Sequence, residues 1–140
     1  MRRTITALAV AMLVLALGAT AAFADGSQTT TPTATQAAGI AKAWSGKAVP
    51  KAKLKCLTMA ISKNTPVWAG LTFNDKAMGC GAMAFDGTAI LWGSGKSWNL
   101  LMEGSSVDAR TCTAMATVLG ANAWVDLAGY AGGMGCQNID

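Results

Sequence analysis

"ILWGSGKSWNLL" (residues 90–101) decides how this chain folds. Gly95-Lys96-Ser97 is the tail of a phosphate-cradling loop, yet the residues on either side read as β-strands, each carrying a tryptophan. A nucleotide loop of the form G-x-x-x-x-G-K-[ST] needs a glycine where this chain has Ile90. It also needs a helix after the lysine, with its N-terminus toward the phosphate. "WNLLMEG" follows instead, which is extended in character. Gly93-Ser94-Gly95-Lys96 is polar and glycine-rich between two strand-like runs, so the stretch is read as a hairpin. A three-residue loop at 94–96 pairs Trp92 with Trp98 and Ile90 with Leu100. A two-residue loop pairs Leu91 with Trp98. The sequence leaves the register open.

Working upstream, "LKCLTMAIS" (54–62) alternates as a strand, "KNTP" breaks it, and Pro66 suits the first residue of the next strand, "VWAGLTF" (67–73). "NDKAMGCG" is a loop carrying Cys80. In "AMAFDGTAILW", Asp86-Gly87 between apolar runs signals a second hairpin, because a type I′ turn needs positive φ at both central positions. Downstream, the period changes. Asp108, Cys112, Met115 and Leu119 recur at helical spacing, Ser105 with Asp108 resembles a capping pair, and Gly120 supplies a stop. A second short helix is expected from Asn122 to Gly129. The expectation is an α+β fold: a small antiparallel β-meander with one or two C-terminal helices packed on one sheet face, and two disulfides.

The N-terminus sets the compartment. Arg2 and Arg3, an apolar stretch from Ile5 to Leu17 and the exit Ala22-Phe23-Ala24 form a cleavable export signal over residues 1–24. The strongly apolar part is short for a membrane span, so no stable anchor is expected after cleavage. Residues 25–35 hold five threonines and no large apolar side chain, and are expected to be a mobile leader. Residues 36–53 are expected to be a short helix, with Ala37, Ile40, Ala41 and Trp44 on one face, followed by a basic linker. The disulfide-stabilised domain then runs from 54 to 140. Gly39 and the short length make that helix marginal unless Trp44 docks on the domain.

Cys56, Cys80, Cys112 and Cys136 in a small exported chain read as two disulfides. Zinc would call for closely spaced ligand pairs, often with histidine; no two cysteines are close and the chain has no histidine. Shifting the chain by 56 residues lays 56–80 on 112–136. Both cysteine pairs, Met59/Met115, Ala60/Ala116, Trp68/Trp124, Leu71/Leu127, Met78/Met134 and Gly79/Gly135 then coincide. The first copy reads as strands and the second as helices, which speaks against a duplication. The equal spacing still favours Cys56–Cys80 and Cys112–Cys136 over the two other connectivities. Each would close a loop worth about 3 kcal/mol in the chain-entropy model.

The lack of histidine removes Ser-His-Asp and Cys-His mechanisms. Four paired cysteines leave no thiol nucleophile. Lys96 and Ser97 are strand neighbours that point to opposite faces, so they make no dyad. Carboxylates remain: Asp75, Asp86, Glu103, Asp108 and Asp126 could supply the pair that a glycan hydrolase needs. The turn accounts for Asp86 and the helix start for Asp108. Without Arg2 and Arg3 the chain carries nine cations against seven acids, too little bulk charge for a nucleic-acid partner. Residues 25–63 hold six lysines against Asp25, which could touch an anionic wall or membrane surface. Lysines solvating a linker and a strand edge are the preferred account of them. Tryptophans more often fill a core than line a site, and core is the preferred reading for each of the five. Trp92 and Trp98 at the hairpin tip, with Lys96 between them, are the binding candidates if that face is exposed.

The order of these motifs resembles a family of small exported actinobacterial proteins of unknown function. The likeness rests on Ser62 with Trp68-Ala69, Asp86-Gly87 before Ala89-Ile90-Leu91, Gly95 with Trp98, and Glu103-Gly104-Ser105 before Cys112 and Val118-Leu119. It covers roughly residues 56–127, and the two Met-Gly-Cys segments depart from it. The resemblance implies a fold and no catalytic residue or cofactor. The functional expectation is a secreted, non-enzymatic domain that binds a cell-wall polymer or an extracellular protein, such as a protease it inhibits. The rival expectation is a small carboxylate-dependent hydrolase of an extracellular glycan.

Overall fold

A computed structural model of the chain describes residues 28–73, Cys80 and 87–137. The export signal, Asp75, Asp86, most of the Cys80 loop and the apolar run before Asp86 lie outside the described residues. The elements are β1 (Thr29–Thr30), α1 (Ala34–Ser45), α2 (Lys51–Leu54), β2 (Leu57–Ser62), β3 (Trp68–Phe73), β4 (Thr88–Ser94), β5 (Ser97–Gly104), α3 (Ala109–Asp126) and α4 (Ala128–Gly133). The strands form one antiparallel meander in the order β1-β2-β3-β4-β5.

Helices cover both faces of the sheet, where the sequence suggested one. Ile40, Ala41 and Trp44 of α1 pack on Leu57, Ile61, Ala69, Leu71, Ala89, Leu91 and Trp98. On the other face Ile90 meets Cys112, Met115, Leu119, Ala123, Leu127, Ala131 and Met134, with Trp68, Met102 and Tyr130 at the margin. Strands covered on both sides need apolar residues on both sides. This is why "TAIL" at the start of β4 is buried at every position. Full burial of a side chain such as Ile90 or Leu91 contributes about 1.5–3 kcal/mol.

The second helical layer follows from α1, which starts two residues earlier than its apolar face suggests. Thr33 and Gln36 form a capping box: Thr33 Oγ1 accepts from the Gln36 amide and Gln36 Oε1 accepts from the Thr33 amide at 2.9 Å. Gly46, at φ +72°, closes the other end. Upstream, Thr29 and Thr30, in the segment expected to be mobile, pair with Ser62 and Ile61 as an edge strand. Gly39 weakens α1 by about 1 kcal/mol relative to alanine, but the fold requires it. A Cβ there would sit 2.6 Å from the Lys96 carbonyl oxygen and 2.9 Å from Trp98 Cδ1. Gly70 plays the matching part on the opposite face, where the Tyr130 ring lies against its bare backbone, 2.7 Å from a built Cβ at Cδ1.

The upstream run of the hairpin expected at Asp86-Gly87 lies outside the described residues; its downstream run, 88–92, pairs with β3 on one edge and with β5 on the other. β3 begins at Trp68, with Pro66 in the preceding turn. The helical end is as foreseen at Gly120, whose φ of +76° and ψ of 163° interrupt α3. The chain then continues past Gly129 into α4. Asp108 caps α3 by itself, accepting from the Thr111 amide at 3.0 Å and the Thr111 hydroxyl at 2.7 Å.

The disulfides are Cys56–Cys80 and Cys112–Cys136, with Cα–Cα separations of 5.5 and 5.6 Å, and no cysteine is free. The first ties the start of β2 to the chain beyond β3. The second ties α3 to the tail behind α4. Segment 56–73 is two strands while 109–133 is helical, so the shared spacing does not extend to a structural repeat.

Candidate functional site

The β4–β5 hairpin turns through two residues, Gly95 and Lys96, with Ser94 opposite Ser97. Gly93 therefore faces Trp98, Trp92 faces Asn99 and Leu91 faces Leu100. This is neither of the registers weighed from sequence. This register needs glycine at 93: a Cβ there would collide with the Ser97 carbonyl and lie 2.7 Å from Trp98 Cα. Farther down, a bulge between Ile90 and Leu91 brings Met102 opposite Ile90 and returns large side chains to the helical layer.

The register separates the two tryptophans proposed as one platform. Successive residues of a strand point to opposite faces, so the Gly93–Trp98 pair and the Trp92–Asn99 pair face opposite ways. Trp98 is 7% exposed beneath α1. Its indole Nε1 donates to the Gly95 carbonyl at 3.0 Å, which satisfies the buried polar end. Trp92 is 48% exposed. Directly across from it stand Trp68 on β3 and Asn99 on β5. Trp68 is half-buried against the α3–α4 layer, while Asn99 is exposed. The result is a short row of Trp68, Trp92 and Asn99 across three strands, apolar at one end and amide-bearing at the other. Trp44 is buried and Trp124 half-buried, so Trp92 is the tryptophan open to solvent.

Lys96 goes with the other face. It lines an open cleft between α1 and the hairpin tip, in two lobes of about 510 and 400 Å³ that share Gly39, Lys42 and Lys96. Thr35, Ala38 and Val49 line the first lobe, and Ser97 and Trp98 the second. Lys42 did not stand out in the sequence. Its position one turn beyond Gly39, the residue that meets Lys96, was the available signal.

The carboxylates do not converge among the described residues. Asp126 is buried at the end of α3, where Ser62 Oγ donates to its Oδ2 at 2.6 Å, the Asn64 amide to Oδ2 at 2.9 Å and Asn64 Nδ2 to Oδ1 at 3.0 Å. Ser62 Oγ in turn accepts from the Thr65 amide at 2.9 Å. Burial works to raise the Asp126 pKa, and the hydrogen bonds from Ser62 and Asn64 outweigh it, so the carboxyl titrates below the usual carboxylate range. These contacts make Asp126 a clamp between α3 and the end of β2. Thr111 likewise holds the Asp108 carboxyl low at the start of α3. Glu103 lies opposite Ala89, on the α1 side of β5. Burial pushes the Tyr130 hydroxyl up. Among the described residues no group of three His, Cys, Asp or Glu side chains is placed to hold a metal ion. Nor is any helix there long and apolar enough to cross a membrane.

No family model matches this chain, and neither the curated proteins nor the solved structures contain a match to it.

Proposed function

We propose that the chain is an exported, non-enzymatic binding domain whose ligand is a cell-wall glycan seated on Trp92. The observation that carries this reading is the exposed Trp92 indole, held between Trp68 and Asn99 in a row across three antiparallel strands. An indole offers a sugar ring a large apolar face at small entropic cost, since two χ angles place it. The carboxamide of Asn99 supplies a donor and an acceptor for hydroxyl groups beside that face. Exposing a tryptophan to water is unfavourable by the apolar area left wet, and a ligand that covers it recovers that energy. Export agrees with the N-terminal signal and with two disulfides, which persist in oxidising compartments.

Co-sedimentation tests the reading. Disulfide-intact protein lacking residues 1–24 is mixed with purified wall sacculi stripped of their anionic polymers. The protein is expected in the pellet, and Trp92→Ala in the supernatant. Equal pelleting of both proteins would remove Trp92 from the function.

A further inference from the structure

We infer that the cleft between α1 and the β4–β5 hairpin tip is a second binding site, built for a linear phosphodiester polyanion. It lies on the opposite side of the hairpin from Trp92 and does not depend on the glycan reading. Three features of the cleft point to this ligand.

The first is how the cations are brought together. Lys42 sits on a helix and Lys96 in a turn, and both are exposed. They line the same cleft because Gly39 lets the helix settle onto the Lys96 main chain, where any side chain would meet the carbonyl at 2.6 Å. The glycine that weakens α1 is therefore also the residue that assembles the site.

The second is the sign of the surroundings. Among the described residues no acidic side chain lines either lobe. Residues 28–63, which supply most of the walls, contain six lysines and no acid. Lys42 and Lys96, brought to one cleft, raise its local potential and attract an anion.

The third is shape and donor type. The two lobes join at Gly39, Lys42 and Lys96, so a chain-like ligand passing from one to the other meets both ammonium groups. A single small anion held by one exposed ammonium gains little. Regularly spaced charges on a polymer add up and release counterions as they bind. Lysine meets phosphate oxygens as a compact point charge that needs no planar alignment of donor and acceptor. The hydroxyls of Thr35 and Ser97 add uncharged donors. Trp98 is buried with its Nε1 already donating to Gly95, so it offers nucleobases no stacking face.

The test uses disulfide-intact protein lacking residues 1–24 and a synthetic poly(glycerol phosphate), with affinity measured across a salt series. Binding is expected, with log K falling linearly against log salt. Lys42→Ala and Lys96→Ala should each lower that slope by about 0.7, the contribution of one phosphate contact on a flexible chain. Lys63→Ala removes the same charge outside the cleft and should leave the slope unchanged. Amide shifts on titration should concentrate at Gly39, Lys96 and Ser97. An equal loss in Lys63→Ala would mean attraction by bulk charge and would overturn the site. So would failure of the polymer to bind at low salt. Poly-L-glutamate of equal charge binding as tightly would overturn the assignment to a phosphodiester.

Discussion

The two sides of the β4–β5 hairpin use the same residue type to opposite ends. On one side Trp98 is closed beneath α1, its indole nitrogen bonded to Gly95 and its neighbours Ile40 and Leu91 fully buried. On the other side, six residues away in sequence, Trp92 stands half open above Asn99. Neither local composition nor strand propensity distinguishes them. Glycine does: Gly93 leaves room for the register that puts them on opposite sides, and Gly39 lets a helix close over one of them. A side chain's role here is set by where its neighbours lack one.

The contrast is sharpest in stability. Trp98→Ala should cost about 3–5 kcal/mol, the range for emptying a buried aromatic site, read as a lower denaturation midpoint at unchanged m-value. Replacing Cys112 and Cys136 together by serine should cost about 3 kcal/mol through the freed loop. It should loosen the α3–α4 layer that half-covers Trp68, seen as faster amide exchange there than in α1. Asp126→Ala should cost about 1–3 kcal/mol, because Ser62 Oγ and the Asn64 amide lose their acceptor in a buried setting.

The Asp126 effect should also depend on pH. Its folded pKa is lower than its unfolded one, so its contribution is complete above the unfolded value and disappears as pH falls through the folded value. The stability gap between wild type and Asp126→Asn should therefore be largest near neutrality and narrow steadily below about pH 4. A gap that widened in acid would contradict the hydrogen-bonded carboxylate. The smallest effect belongs to the open side. Trp92→Ala should cost about 1 kcal/mol, since half of its indole is already open, and a loss equal to that of Trp98→Ala in a melting curve would make Trp92 a core residue.

Much of the fold was legible because its signals are local. Cysteine spacing pointed to both disulfides, Gly95-Lys96 between apolar runs marked the hairpin, and the period of Met115 and Leu119 marked α3. What was not legible depended on contacts distant in sequence. The threonine-rich leader hid the Thr33–Gln36 capping box, because a T-x-x-Q pattern within repeated threonines looks like low complexity. The placement of helices on both faces depends on α1 returning across β4 and β5, which no periodicity within 36–44 reveals. The hairpin register turned on Gly93 opposing Trp98, a collision visible only once both strands are placed. Of the candidate site, Trp92 and Lys96 lie exposed at the tip, although core was the preferred sequence reading for every tryptophan. Trp98 was assigned to the same platform because a one-residue change of register moves a side chain from one face to the other.

Mild oxidation of the disulfide-intact protein with N-bromosuccinimide, mapped by peptide mass spectrometry, tests the division of the hairpin most directly. One indole should react well ahead of the others, and it should be Trp92, with Trp98 protected until the protein unfolds. Modification of Trp98 at the same rate as Trp92 in the folded protein would contradict the account.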